Sequence, residues 1–347
     1  MNVEGYIDKI FSLKDISEFN SLALEAFMYQ REHCKIYHDY LELVGKEDFI
    51  PQTPEEIPFL PIRLFKSCDV ISGEKGPDSV TFTSSATTGM VPSHHIVSDI
   101  KLYEKSFIEA FRLFYGESGT YNLLALLPAY LERKGSSLVY MADKLIAETK
   151  ANGAEGGFFL YDHDVLLDTL KRLKEGKTIL LGVSFALLDF ARYVSEKVPD
   201  ADKRKALFKQ VTIMETGGMK GRGQELSREE LHRRLQEGFC TESIHSEYGM
   251  CELLSQAYSF NQDGVFFTPP WMKVITRDLQ DPFRILDKNN ILGGLNIIDL
   301  ANINSCCFIE TEDCGKIVAD KKSIHQPFTV DGRIKNAERR GCNMLVE

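Results

Sequence analysis

Nowhere does the chain hold a run of roughly 18 uncharged apolar residues, so no membrane-spanning helix is expected. The opening Met1-Asn2-Val3-Glu4 lacks the basic start and apolar run of a secretory signal, and a cytoplasmic location is expected. Basic residues are in deficit. A formal net charge of -10 argues against broad nucleic-acid binding, which needs a positive surface. The deficit does not exclude a nucleotide, because a phosphate pocket needs only local donors. The 8 cysteines are scattered without a C-x-x-C pair, so zinc sites and redox dithiols have no support and free thiols are expected.

What is present is 43% hydrophobic content over 347 residues, enough for a substantial core. Ile7, Ile10, Phe11, Leu22, Leu24 and Phe27 recur at helical spacing, and the Pro-rich stretch from Pro51 to Pro61 ends that pattern. From residue 80 short apolar runs alternate with amphipathic ones. Strands are expected at Ser79–Thr83, Leu123–Leu127, Gly157–Tyr161, Thr178–Gly182 and Gln210–Glu215. Helices are expected at Ile100–Tyr115, Asp143–Lys150, Val165–Glu175, Phe185–Glu196 and Ser227–Gly238. Such alternation predicts a multi-layer α/β fold with a mixed or parallel sheet. Beyond residue 265 the runs at Trp271–Ile275, Leu295–Ile298 and Lys316–Val318 predict a small β-rich part. The expected organisation is a large domain over 1–330: a helical N-terminal part (1–79), an α/β core (80–260) and a β-rich subdomain (261–330). Residues 331–347 form a short tail.

Six segments carry candidate chemistry. Thr83-Ser84-Ser85-Ala86-Thr87-Thr88-Gly89 follows an apolar strand and offers hydroxyls without bulk, as a phosphate-wrapping loop requires. No G-K-[ST] closes it, so it is not of the Walker type. Leu127-Pro128-Ala129-Tyr130 ends a strand with an aromatic. Glu215-Thr216-Gly217-Gly218-Met219 ends another, with glycines that admit a flat ligand to the backbone. Tyr248-Gly249-Met250-Cys251-Glu252 combines an aromatic, a glycine and a carboxylate suited to a base and Mg²⁺. Thr311-Glu312-Asp313-Cys314-Gly315 sets carboxylates before an expected glycine turn, and Asp331-Gly332-Arg333 follows. Each segment alone is a weak signal, with a polar turn or simple packing as the competing reading. The pair His94-His95 reads as exposed and incidental, Lys220 and Arg222 as a solvated charged loop. Ser184 and Phe185, after a strand, are candidates for an acyl pocket, with core packing as the competing reading of Phe185.

In this order the segments resemble the adenylate-forming superfamily of acyl-CoA synthetases, peptide-synthetase adenylation domains and firefly luciferase. The resemblance implies that Ser84, Ser85, Thr87, Thr88 and Gly89 hold phosphates. It sets Gly217 and Gly218 beside adenine, and Tyr248 and Gly249 in the nucleotide site. It makes Glu252 the Mg²⁺ ligand and Asp313 the ribose ligand, and gives Tyr130 and Arg333 catalytic roles. On it, Thr87, Thr88, Tyr248, Glu252 and Asp313 are expected in one cleft. Tyr130 stands where His or Phe is usual, and Cys251 where Thr is usual, which weakens one contact to the α-phosphate. A nearer similarity is to the LuxE-type acyl-protein synthetases of bacterial luminescence. It rests on Leu127–Arg133, Ser136–Met141, Glu215–Gly221 and Arg340-Gly341-Cys342. That similarity implies ATP and Mg²⁺ as cofactors and a carboxylic, foremost a fatty, acid as substrate. It implies an acyl reductase or other acceptor protein as partner, and Cys342 as the acylated residue. Only residues 334–347 follow Arg333, so the superfamily's C-terminal domain and its lysine are expected to be largely absent. Two alternatives are a coenzyme A ligase resembling phenylacetate-CoA ligases and a non-catalytic nucleotide-binding scaffold for an acyl reductase. Mobility of the chain end and the neighbouring Arg339 and Arg340 favour a reactive Cys342 thiolate. Against it, Met344-Leu345-Val346 reads as a short buried strand.

Overall fold

The computed structural model describes residues 1–84, 91–128, 135–173, 176–217, 226–260, 263–318 and 323–334. The chain is α/β and divides into two compact units. One comprises Pro77–Phe266, the other Met1–Gly76 together with Phe267–Glu347.

In the second unit the N-terminal segment forms α1 (Val3–Ile10), α2 (Ile16–His33) and α3 (Lys35–Leu43), and β1 is Leu60–Pro61. Asp15 starts α2 by accepting from the Ser17 and Glu18 amides, which offsets two orphan donors of the first turn.

The unit Pro77–Phe266 carries a hairpin of β2 (Val80–Thr83) and β3 (His94–Val97). There follow α4 (Ile100–Tyr115), β4 (Tyr121–Leu126), α5 (Ser137–Ala151), β5 (Gly156–Phe158), α6 (His163–Arg172) and β6 (Lys177–Val183). Then come α7 (Ser184–Lys197), α8 (Ala201–Phe208), β7 (Val211–Thr216), α9 (Arg228–Phe239), β8 (His245–Tyr248), β9 (Ala257–Ser259) and β10 (Val265–Phe267). The strand order is β10-β9-β8-β7-β6-β4-β5. β5, β4, β6, β7 and β8 are mutually parallel, and β9 runs against β8. Central strands buried on both faces need continuous apolar runs, and Leu123–Leu126 and Ile179–Leu181 supply them. Right-handed crossovers running in opposite directions from β4 and β6 put their helices on opposite faces. Accordingly α4 packs on α5, while α7 packs on α6 and α9.

In the other unit β11 (Met272–Arg277), β12 (Gly293–Asp299), β13 (Phe308–Ile317) and β14 (Pro327–Arg333) form an antiparallel meander, with β1 parallel to β13. The N-terminal helices join it through Gln30. Its buried side chain donates to the carbonyls of Asn302 and Ile303 and accepts from the Cys307 amide. Three backbone groups that a core cannot leave unpaired are thereby satisfied by one residue. Phe27, Tyr37, Phe59 and Phe308 fill the space beneath it.

The expected strands and helices between residues 79 and 238 each overlap an observed element, the largest difference being α5, which begins at Ser137 rather than Asp143. Strands β3, β8, β9, β10 and β14 have no counterpart in the expectation, and β14 takes in Asp331–Arg333 of the expected tail. Helix α8 went unread because its Ala-Asp-Lys-Arg-Lys-Ala-Leu-Phe sequence buries only Phe208 and has almost no apolar face. Asp313, Cys314 and Gly315 lie inside β13 rather than at a turn. The register of β13 against β14 shifts between Cys314 and Gly315, and a Cβ at Gly315 would collide with the Thr329 carbonyl. That glycine answers close strand approach, not chain reversal. No helix among the described residues is long and apolar enough to cross a membrane.

Candidate functional site

Strands β4 and β6 are neighbours, yet the chain leaves β4 toward β5 and leaves β6 toward β7. At such a reversal the two crossovers diverge, and a crevice opens beyond the carboxyl ends of the strands. Two of the motif segments and the acyl-pocket candidate Ser184 lie at the ends of successive parallel strands. Ser184 follows Val183 of β6, Gly217 follows Thr216 of β7, and Tyr248 closes β8.

The buried Ser184 hydroxyl donates to the Gly217 carbonyl at 2.7 Å and lies 3.4 Å from Glu215 Oε2. It therefore joins the ends of β6 and β7. Gly217 has φ +61, a left-handed conformation that a glycine adopts without steric cost. Phe185 is half-buried rather than fully enclosed in the core.

On the next strand pair the Thr216 hydroxyl donates to Glu247 Oε2. The Tyr248 ring lies 5.8 Å from that of Phe266, which also carries the Arg228 guanidinium 4.4 Å from its centroid. A Cβ at Gly249 would meet Glu247 Oε1, the far end of a side chain, and come within 3.2 Å of Gln256 Cγ. Glu252 is a carboxylate only 5% exposed. Burial, and then the Glu252 charge, push the Cys251 thiol well above its ordinary range. It is thus a small neutral group and no nucleophile.

The hydroxyl-rich segment is closed at its neck. The Ser84 amide donates to the Ser93 carbonyl at 2.9 Å, and the Ser93 amide donates to Ser84 Oγ at 2.8 Å. The Thr83 amide donates to the Gly135 carbonyl at 2.7 Å, which brings the segment after β4 to the same neck. Ser85, Thr87, Thr88, Gly89, Tyr130, Gly218, Lys220, Arg222 and Cys342 lie outside the described residues. His95 corrects an expectation. It is 1% exposed, and its Nδ1 lies 2.8 Å from the Cys251 carbonyl oxygen. Two adjacent histidines before Ile-Val read as exposed because the partner of His95 lies 156 positions along the chain.

Asp313 and Arg333 belong to the other unit. They are register partners on β13 and β14, with Arg333 Nε 3.7 Å from Asp313 Oδ1. Beneath them the buried Arg277 donates to the carbonyls of Leu295 and Thr311 and to Asn296 Oδ1. Arg277 was not singled out as a site residue; a lone arginine in an apolar strand carries no local signal of role.

Among the described residues no group of three or more His, Cys, Asp or Glu side chains gathers as a metal cage. A single buried carboxylate, Glu252, in the turn that follows β8 fits Mg²⁺, which is commonly held by one or two carboxylates together with nucleotide phosphates.

No protein-family profile and no curated protein matches the sequence. Solved structures do. One is an adenylation, ketoreductase and pseudo-Asub multidomain structure of a keto acid-selecting NRPS module. It has a TM-score of 0.51 at 14% identity, covering 76% of this chain and 24% of that one. Another is the O-succinylbenzoate coenzyme A synthetase of Bacillus subtilis, in complex with AMP. Its TM-score is 0.48 at 15% identity, covering 73% of this chain and 49% of that one. A third is a luciferase-like enzyme from the nonluminescent Zophobas morio mealworm. Its TM-score is 0.48 at 14% identity, over 76% of this chain and 60% of that one. The chain spans less than two thirds of each. At a TM-score of 0.51 the likeness to the NRPS module shows a shared fold.

Proposed function

We propose that the chain activates a carboxylic acid, foremost a fatty acid, with ATP and passes the acyl group to a protein cysteine. One arrangement supports this reading. Gly217 and Tyr248, from two segments of the ordered motif set, stand at the ends of the successive parallel strands β7 and β8, and Ser184, the acyl-pocket candidate, follows the neighbouring β6 beside a reversal of strand order. The adenylation named for the NRPS module points the same way.

In the reaction a carboxylate oxygen of the acid attacks the α-phosphorus of ATP. The bond from that phosphorus to the pyrophosphate oxygen breaks, and pyrophosphate leaves. Ser84, Ser85, Thr87, Thr88 and Gly89 donate to phosphate oxygens. Gly217 and Gly218 admit the adenine to the backbone, and Tyr248 packs on it. Glu252 would hold Mg²⁺, which would supply neutralisation of the charge that grows on the phosphates. The second step forms a thioester as a thiolate attacks the acyl carbonyl and AMP departs. Cys342 is the acceptor in this reading, and an acyl reductase is the partner that takes the acyl group onward.

The test is to incubate the protein with MgATP and a panel of fatty and aryl acids and to follow pyrophosphate. Acid-dependent release is expected. Its absence across the panel overturns the reading, and release that rises with added coenzyme A replaces the protein acceptor with a soluble thiol.

A further inference from the structure

We infer that His95 is a positioning residue. It holds the turn that carries Glu252 in register with the hairpin from which the hydroxyl-rich segment springs. The inference rests on the adenylation reading for its functional consequence, but not for its geometry.

His95 lies on β3 opposite Phe82 of β2, one pair in from the neck at Thr83 and His94. Cys251 and Glu252 are the central residues of a turn closed by the Leu253 amide donating to the Met250 carbonyl at 3.2 Å. The contact between His95 and the Cys251 carbonyl is 2.8 Å long, is buried, and spans 156 positions of sequence. A carbonyl oxygen only accepts, so the contact requires the proton on Nδ1. The chain thus spends one buried donor on tying the phosphate-side hairpin to the carboxylate-side turn. A shift of about 1 Å in a positioning contact is enough to cost on the order of 100-fold in rate.

Two variants separate positioning from packing. In His95→Asn the amide nitrogen takes the place of Nδ1 and keeps the bond. In His95→Gln the nitrogen reaches the place of Nε2 and loses it. The Asn variant is expected to hold kcat/KM for MgATP within about threefold of the parent, with the Gln variant lower by about tenfold or more. Amide exchange at residues 249–253 is expected to quicken in His95→Gln alone, and ¹⁵N-histidine spectra of the parent to show the Nδ1–H tautomer.

An Nε2–H tautomer overturns the inference. So does equal exchange at 249–253 in the two variants, or a parental kcat/KM in His95→Gln. A parent that releases no pyrophosphate overturns the adenylation reading instead, and tautomer and exchange then decide the His95 contact by themselves.

Discussion

Asp313 and Arg333, twenty residues apart in sequence, face each other across β13 and β14 with Nε 3.7 Å from Oδ1. The Arg333 side chain is 83% exposed, and an exposed pair of this kind contributes between about 0 and 1 kcal/mol. Arg333→Ala is therefore expected to unfold within about 1 kcal/mol of the parent in denaturant. If Arg333 serves the reaction, the same variant loses acid-dependent pyrophosphate release. A variant that is both stable and fully active removes Arg333 from the chemistry.

Glu252→Gln keeps the size of a buried side chain and removes its charge. Pyrophosphate release is expected to fall on the order of 100-fold, with the Mg²⁺ concentration for half-maximal rate raised. Parental metal dependence in this variant ends the proposed role of Glu252.

Cys342→Ser is expected to abolish hydroxylamine-sensitive label from radioactive acid and ATP while leaving pyrophosphate release intact. Thioester label that persists on the variant places the acceptor elsewhere.

Gly315→Ala tests the strand assignment. In the structure a methyl group there meets the Thr329 backbone, which has no flexible end to yield. A loss of about 1–3 kcal/mol is expected by denaturant titration, as for other overpacked sites. Parental stability returns the position to an open turn.

His245 provides the pH dependence. Burial lowers its pKa from 6.5 to about 4, and its Nδ1 lies 3.1 Å from the Tyr115 hydroxyl. Between these values the unfolded chain binds the proton and the folded chain does not, so stability falls as pH drops from 6.5 toward 4. His245→Asn is expected to flatten that part of the stability profile. An imidazole titration midpoint near 6.5 in the folded protein contradicts it.

Much of the local structure was legible because its causes are local. The apolar spacing of Ile100–Tyr115, begun by the Asp99 side chain accepting from the Lys101 and Leu102 amides, makes α4 readable from a short window. The apolar runs of β4, β6 and β7 are readable for the same reason. The order of motif segments was also legible, since it needs only position along the chain.

What the sequence alone determined is therefore the α/β alternation and the set of residues offered at strand ends. Tertiary structure decided the rest. It chose the order β8-β7-β6-β4-β5, which sets β4 and β6 side by side and turns separate strand ends into one edge. It turned His95 from a surface histidine into a buried clasp on Cys251, 156 positions away. It set Gln30 against Asn302 across 272 positions, and it made Gly315 a strand crossing. The physical reason is the same in each case. Periodicity reports how a residue relates to neighbours a turn or a pleat away. A buried donor's partner is settled only when remote backbone is packed against it and must be satisfied.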